Sequence, residues 1–422
     1  MLASQRPLCK SKAETAPLTS QDIFTEIEEF QEFGRKTSVA AFPDPAVDIP
    51  VYLNEFWTAK QRAAHTLHEI SYRACFKPQL PRFFIERLTR PGEVVYDPFM
   101  GRGTTLIEAA LLGRVPYGCD INPLSQILVG PRLQPPELLE VKARLAQIDL
   151  TMPVPIDEQL LVFYHPQTLT AITNLRDYLL QREQQGSLAA VDAWIRMVAT
   201  NRLTGHSKGF FSVYTMPPNQ AVSVASQRRI NAKRGQEPPF RPVPEIIVKK
   251  SRTLLGGLGD RERRLLWKLM PRSCLLTASC EQTPEIASES VSLVVTSPPF
   301  LDTVDYQTDN WLRCWFNGLD AAQVPIWQLK KSADWQEKMQ QVFAELKRVL
   351  RLGGHVAFEV GEVRGGKLPL ETLVVPAAQA AGLTPLLVLI NAQTFTKTSQ
   401  CWGVDNLKKG TNTNRIVLLR KG

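Results

Sequence analysis

Two short stretches of this chain carry residue types that can do chemistry. In the first, Val294-Val295-Thr296-Ser297-Pro298-Pro299-Phe300, a β-branched run suited to a buried strand stops at a hydroxyl, two adjacent prolines and an aromatic ring. Proline removes a ladder donor and fixes φ, so the strand ends there and the groups that follow sit on a stiff backbone. The result is a set of fixed hydrogen-bond acceptors beside a flat ring. The second stretch is Asp97-Pro98-Phe99-Met100-Gly101-Arg102-Gly103-Thr104-Thr105, which opens a helix. Gly101 and Gly103 let backbone approach a ligand closely, and Thr104 and Thr105 are expected to cap the helix. The spacing G-x-G-T-T is neither the dinucleotide G-x-G-x-x-G nor the Walker loop, and no lysine waits for a phosphate, which argues against a triphosphate. Instead an acid precedes the loop and a second, Asp120, ends the next apolar run, where a carboxylate can accept two hydrogen bonds from ribose hydroxyls. Glycines flanked by acids suit a nucleoside carrying a positive charge. Taken singly, the glycines could simply make a tight turn and Ser-Pro-Pro-Phe simply end a strand; their joint occurrence favours a site.

The elements that must position these loops are legible around them. Glu93–Asp97 reads as a strand, Thr104–Leu112 as a helix and Val115–Ile121 as a second strand, a β-α-β unit preceded by a short helix over Pro81–Leu88. The alternation then breaks. Helical patterns cover Glu137–Ile148, Gln167–Arg182 and Leu188–Leu203, followed by a Pro- and Arg-rich stretch, Thr215–Pro244, that reads as irregular. Strand-like runs resume at Leu275–Ala278, Val291–Ser297, Gly354–Gly361, Thr384–Ala392 and Arg415–Leu419, separated by helical segments at Asn310–Phe316, Trp335–Leu350 and Leu370–Ala381. About seven strands alternating with helices predict a Rossmann-like, doubly wound, mostly parallel α/β sheet with a mainly helical, basic insert after the second strand. The predicted divisions are an N-terminal extension over 1–60, a first sheet portion over 61–134, the insert over 135–272 and a second sheet portion over 273–422. Within the extension only an acidic helical piece around Asp22–Phe33 stands out, and the rest reads as polar and irregular.

The 422 residues carry 50 Lys+Arg against 41 Asp+Glu, a formal charge of +9 that suits a polyanionic partner. Between Arg196 and Arg272 there are 16 Lys/Arg against 4 Asp/Glu, so this segment holds more than the whole excess and the remainder is slightly acidic. The 7 cysteines are odd in number and scattered without C-x-x-C, a pattern expected of reduced thiols. The 5 histidines show no metal-ligand spacing, so no metal site is expected. The N-terminus lacks the apolar core of a signal peptide and no run approaches membrane-spanning length, from which a soluble, cytoplasmic protein is expected.

Asp97-Pro98-Phe99-x-Gly101-x-Gly103-Thr104-Thr105 together with Thr296-Ser297-Pro298-Pro299-Phe300 resembles the exocyclic-amino DNA methyltransferases, which use S-adenosylmethionine, and is most similar to their cytosine-N4 branch. His68-x-x-x-Tyr72-x-x-x-Phe76-x-Pro78 resembles that family's cofactor-covering segment. Gly118-Cys119-Asp120-Ile121-Asn122-Pro123 is similar to its ribose-binding strand end, and Leu350-Arg351-Leu352-Gly353-Gly354 to the turn before its fifth strand. The resemblance spans roughly residues 65–130 and 274–420. It implies cofactor binding by Tyr72, Phe76, Pro78, Asp97, Pro98, Phe99, Gly101, Gly103, Thr104, Thr105, Asp120, Ile121, Cys280 and Thr296, and catalysis by Ser297, Pro298, Pro299 and Phe300. Two departures stand out. Ala278-Ser279-Cys280-Glu281 replaces the acidic residue often found at the third strand's end, which leaves the adenine contact unassigned, and Phe300 replaces the commoner tyrosine.

The chemistry so implied explains the prolines. A cytosine amino nitrogen is a poor nucleophile because its lone pair is delocalised into the ring, so both its N–H bonds need fixed acceptors; Ser297 Oγ and the Pro298 carbonyl are the candidates. Flipping the base out of a duplex costs a few kcal/mol, and stacking on Phe300 returns roughly 1–3 kcal/mol. No thiolate is needed, and the absence of a Pro-Cys motif argues against carbon-5 methylation. Serine at the first motif position favours cytosine N4 over adenine N6 by resemblance alone. The basic insert is the candidate for target recognition, with Arg228, Arg229, Lys233, Arg234, Lys249, Lys250 and Arg252 placed to meet duplex DNA phosphates. Within His206–Gln220, Phe210, Phe211 and Tyr214 read first as core packing and second as a base pocket or wedge. The resemblance leaves open a cognate restriction endonuclease. Competing readings are an RNA or protein-amide methyltransferase, disfavoured by Ser297, and a non-enzymatic DNA-binding relative, disfavoured by the intact Asp97, Gly101, Gly103 and Asp120.

Overall fold

Every residue of Val291–Thr296 is buried, which a strand achieves only when both faces of its sheet are covered. A computed structural model of the chain describes residues 20–57, 64–72, 75–216, 221–299, 306–363, 368–392 and 413–422. The chain begins with α1 (Ser20–Glu28), β1 (Ser38–Ala41), β2 (Pro50–Asn54), α2 (Gln79–Leu88), β3 (Val94–Asp97), α3 (Thr104–Leu111), β4 (Val115–Asp120) and α4 (Leu124–Leu133). Six helices follow: α5 (Leu138–Ala146), α6 (Pro166–Gln184), α7 (Ala190–Thr200), α8 (Val224–Arg234), α9 (Val243–Leu255) and α10 (Asp260–Leu269). The remaining elements are β5 (Cys274–Thr277), β6 (Val291–Thr296), α11 (Tyr306–Phe316), α12 (Ser332–Val349), β7 (Leu350–Val360), a small hairpin of β8 (Glu362–Val363) and β9 (Leu368–Pro369), α13 (Glu371–Ala380), β10 (Thr384–Ala392) and β11 (Thr413–Arg420).

Among the described residues the main sheet has nine strands in the order β1-β2-β10-β11-β7-β6-β3-β4-β5. The run from β7 through β6, β3 and β4 to β5 is parallel throughout, and β11 enters antiparallel between β7 and β10. The chain leaves β3 toward β4 and β5, then returns to lay β6 on the other side of β3. The strand order therefore reverses between β3 and β6, where open α/β sheets form a ligand crevice at their carboxyl ends. Both key loops start at this point.

Alternation along the strands divides the core. Val294, Val356, Phe358 and Val417 face α12 and α13, while Leu293, Val295, Ala357 and Leu418 face α1 and α2. A third core runs from Leu106 and Ile107 of α3 through Leu128 of α4 into Trp194, Ile195 and Val198 of α7 and Ile247 and Leu254 of α9. The insert helices thus pack directly on the helices that follow the glycine loop.

Two expectations about irregular segments are corrected. The N-terminal extension contributes β1 and β2, and β2 pairs parallel with β10, so it extends the sheet beyond the predicted seven strands. Phe56 N–H donates to Asn391 Oδ1 at 2.7 Å and fixes this edge. The signal missed was the apolar alternation in Val51-Tyr52-Leu53, too short to outweigh its polar surroundings. The Pro- and Arg-rich stretch contains α8, which starts at a Ser223 cap and ends at Gly235 with φ +56°. Its six polar or charged positions from Gln227 to Arg234 gave no apolar period to detect.

Candidate active site

The carboxyl ends of β6, β3, β4 and β5 open onto one cleft. Its wall contains Ser297 and Pro299 from β6, Asp97–Gly101 and Thr104 from β3, and Asp120, Ile121 and Asn122 from β4. Ala278, Ser279 and Cys280 follow from β5, and Tyr72, Cys75 and Phe76 come from the segment before α2. Most of the residues singled out in sequence thus meet in space. Gly103, Thr105, Thr296 and Pro78 do not line the cleft, Pro298 lies between the lining residues Ser297 and Pro299, and Phe300 lies outside the described residues.

Residues outside the lining hold it in place. Thr296 Oγ1 donates to Asp97 Oδ1 at 2.6 Å, and Thr105 Oγ1 donates to the Val295 carbonyl at 3.0 Å, joining the glycine loop to β6. Thr104 and Thr105 do not cap α3 as expected; the cap position is Gly103, with φ +72° and no side-chain bond. A Cβ on Gly103 would lie 2.5 Å from Val129 Cγ2 of α4, so glycine is required both for the left-handed turn and for close helix packing. Pro78 is buried at the start of α2. On the catalytic-motif side, Trp335 Nε1 of α12 donates to the Pro299 carbonyl at 2.9 Å, which pins the loop from beneath.

Electrostatics differ from group to group. Burial raises the Asp97 carboxyl to about 7 despite its bonds from Thr296 and the Phe99 N–H. Asp120 accepts from Gly101 N–H at 2.8 Å and Asn122 N–H at 2.9 Å, one on each oxygen; burial still pushes it above the ordinary carboxylate range. Each Asp120 oxygen keeps a further lone pair for a hydroxyl donor. Ser297 lies beside the buried Glu359 of β7, which accepts from Asn414 Nδ2 at 2.8 Å. Burial raises the Glu359 carboxyl, and Ser297 and Asn414 partly offset this. Glu359 was not anticipated. It sits on the strand beside β6, and only sheet register brings it to Ser297. Burial also pushes the Cys280 thiol well up, so this cysteine is not a thiolate nucleophile.

The covering segment is clamped through its backbone. Arg102 Nη1 donates to the His68 and Ile70 carbonyls at 3.3 and 2.8 Å, Asn201 Nδ2 of the insert to the Ser71 carbonyl at 2.9 Å, and Arg313 Nη2 of α11 to the same carbonyl at 3.3 Å. His68 Nε2 lies 2.7 Å from Glu108 Oε1, both buried, and Arg82 Nε donates to the second Glu108 oxygen at 3.0 Å. Burial favours neutral His68, whose Nδ1 has no partner among the described residues, and against burial the His68 contact, then Arg82, hold the Glu108 carboxyl below its usual range. These bonds place Tyr72 over Gly101, where a glycine Cβ would stand 3.7 Å from the ring.

The predicted basic contacts are spread over two helices. Arg228, Arg229, Lys233 and Arg234 are exposed on α8, with Arg234 lying 3.9 Å over the Tyr214 ring. Lys249 and Arg252 of α9 are exposed, whereas Lys250 is partly buried, 3.6 Å from Glu69, and lowered to about 8 by burial and by Arg202. Phe210 and Phe211 are core residues, as first read, and Arg202 covers the Phe210 ring at 4.0 Å. Among the described residues no group of His, Cys, Asp and Glu could hold a metal, Cys75, Cys119, Cys274, Cys280 and Cys314 form no disulfide, and no helix is long and apolar enough to cross a membrane.

The reversed parallel sheet with its final strand β11 inserted antiparallel, and a cleft across the ends of β6, β3, β4 and β5, define a Rossmann-like methyltransferase fold. Residues 24–126 match a family model described as DNA methylase, and with the two motifs this makes the chain similar to the exocyclic-amino DNA methyltransferases, whose cofactor is S-adenosylmethionine. The chain is 27% identical over 275 residues to the type II methyltransferase M.MvaI of Kocuria varians, covering 60% of this chain and 56% of that one. It is 21% identical over 284 residues to the type II methyltransferase M.BsoBI of Geobacillus stearothermophilus, covering 60% and 53%. The chain thus spans about half the length of these curated relatives. A solved structure, the rRNA methyltransferase aviRa from Streptomyces viridochromogenes, is 12% identical with a TM-score of 0.32, covering 84% of this chain and 89% of that chain. The fold assignment rests on strand order and not on that likeness.

Proposed function

We propose that the chain is a DNA methyltransferase that modifies the exocyclic N4 of a cytosine flipped out of duplex DNA. The observation that carries this reading is the position of Ser297. It lines the same cleft as Asp97, Gly101 and Asp120 and lies beside the buried carboxyl of Glu359. The cleft suits the family's cofactor in its donor set: a partly neutralised carboxyl at Asp97 that a cation would ionise, spare acceptor capacity at Asp120 for ribose hydroxyls, and a glycine loop under Tyr72. S-adenosylmethionine, when bound, supplies the electrophilic methyl group.

The chain's own residues prepare the nucleophile. In the proposed reaction the Ser297 hydroxyl donates to the neighbouring Glu359, which leaves its oxygen lone pairs to accept one N–H of the substrate amino group. Trp335 occupies the Pro299 carbonyl, which leaves the Pro298 carbonyl as the second acceptor on a backbone that two prolines stiffen. Acceptors fixed in this way draw the amino group toward tetrahedral geometry without reorganising during the reaction, which is where preorganised hydrogen bonds contribute most. Residues 135–272 serve as the target-recognition portion, with the exposed cations of α8 and of α9 meeting phosphates.

The deciding experiment is methyl transfer from labelled S-adenosylmethionine to mixed-sequence duplex DNA, followed by digestion to nucleosides. N4-methylcytosine is expected. N6-methyladenine would keep the enzyme and overturn the base assignment, and label in RNA but not in DNA would reassign the partner.

A further inference from the structure

The cleft has one wall that none of the motifs supplies. Ile326 and Trp327, in the connection between α11 and α12, line it together with Phe99 and the turn after β5. The Trp327 ring stands edge-to-face to Phe99, with centroids 5.9 Å apart and planes at 75°. The Lys338 ammonium lies over the same ring, 5.2 Å from the indole centroid. Lys338 is in turn held by Glu281 Oε1 at 2.5 Å and Gln341 Oε1 at 3.1 Å, and Glu281 Oε2 accepts from Ser279 Oγ at 2.7 Å. One chain of contacts therefore runs from the tryptophan through a lysine and a glutamate to the turn at the end of β5. It ties together two stretches of wall that are far apart in sequence.

This arrangement bears on the departure noted at the third strand's end. Glu281, the acid nearest that strand, has both oxygens engaged by Lys338 and Ser279 and is not held ready for a ligand. The lining at this end is instead largely apolar, with Phe99, Ile326, Trp327, Ala278 and Cys280. Asp120, with its spare acceptor capacity, lies one strand away, and Ala278 N–H donates to its carbonyl at 3.2 Å. A flat heteroaromatic base attached to a ribose fits this succession: hydroxyls at Asp120, ring face at the aromatic corner.

Resting on the cofactor reading above, we infer that Trp327 forms the aromatic wall for the purine base, with Lys338 and Glu281 as positioning residues that hold the indole against the cleft. Purine affinity here comes from ring contact in place of a carboxylate at the strand end.

The test is calorimetric binding of S-adenosylhomocysteine and of 5′-methylthioadenosine, which share the nucleoside and differ in the amino-acid portion. Wild-type protein is expected to bind both. Trp327→Ala should weaken both by the same factor, about tenfold or more, because the lost contact is to their common part. Trp327→Phe should retain most of the affinity, and Lys338→Met should lose a smaller factor for both ligands. Melting curves check that the variants fold, and the decrease in indole fluorescence expected on ligand addition to wild type should shrink in Trp327→Phe, which keeps the other seven of the 8 tryptophans. Wild-type affinity for both ligands retained in Trp327→Ala overturns the assignment while leaving the cofactor reading intact. Loss confined to S-adenosylhomocysteine also overturns it, since Trp327 would then contact the amino-acid end. Failure of wild-type protein to bind either ligand overturns the cofactor reading itself, and the inference with it.

Discussion

Thr296 Oγ1 donates to Asp97 Oδ1 at 2.6 Å, joining the ends of adjacent parallel strands across 199 positions of sequence. Asp97 begins the glycine loop and Thr296 immediately precedes Ser297, so one bond couples the cofactor side of the cleft to its catalytic side.

The Asp97 carboxyl is raised by burial to about 7, which gives stability and binding opposite pH dependences. Above the ordinary carboxylate value the native state holds a proton that the unfolded chain has released, so this contribution to stability is present at low pH and is lost as pH rises through about 7. Asp97→Asn cannot ionise, and its melting temperature should gain on wild type between about pH 4 and about pH 7. A cationic ligand favours the ionised form, so S-adenosylmethionine affinity should rise through the same window in wild type and stay flat in the variant. Calorimetry across that range would show it, and parallel profiles in both proteins would separate Asp97 from the cation.

Ser297→Ala should lower kcat by about 100-fold or more while leaving cofactor affinity within about twofold. Glu359→Gln keeps the shape but accepts the hydroxyl proton less strongly, and should lower kcat without changing cofactor affinity. Because burial raises the Glu359 carboxyl, kcat in wild type should increase with pH as that group ionises, and the increase should be absent in the variant. A Glu359→Gln enzyme with the wild-type pH profile would make the contact merely structural.

Gly103→Ala introduces a Cβ 2.5 Å from Val129 Cγ2 at φ +72°. The expected loss is about 2–4 kcal/mol, from steric overlap and left-handed strain together. Val129→Ala added to it should recover the steric part only, leaving about 1 kcal/mol of backbone strain, and a double-mutant cycle by denaturant unfolding measures the coupling. Strict additivity of the two changes would contradict the packing described.

Replacing Arg228, Arg229, Lys233 and Arg234 by glutamine should flatten the dependence of log K for DNA on log salt by about 3–4, at roughly 0.9 per phosphate contact. Arg234 is engaged with Tyr214 and with Gln236 Oε1 at 3.2 Å, so the lower figure is expected. Fluorescence anisotropy with duplex DNA at several salt concentrations gives the slope. If it does not change, the DNA lies on another face.

The glycine loop, Asp120 and Ser-Pro-Pro were legible because each is a local device: backbone freedom at Gly101 and Gly103, a carboxylate at a strand end, and fixed φ at the prolines all follow from residue type and near neighbours. The sheet's alternation was legible because strands buried on both faces read as apolar runs. What sequence alone could not show are relationships set by register and packing. Glu359 meets Ser297 only because β7 lies beside β6, Trp335 reaches the Pro299 carbonyl only because α12 packs beneath the loop, and Trp327 reaches the cleft from a connection with no periodicity. The partition of the basic segment was also a tertiary decision. Arg196 and Arg202 are buried in the core, Lys250 is paired with Glu69, and the α8 cations remain in solvent, because burial depends on which helix face meets the core, and charge counts along a chain carry no record of that.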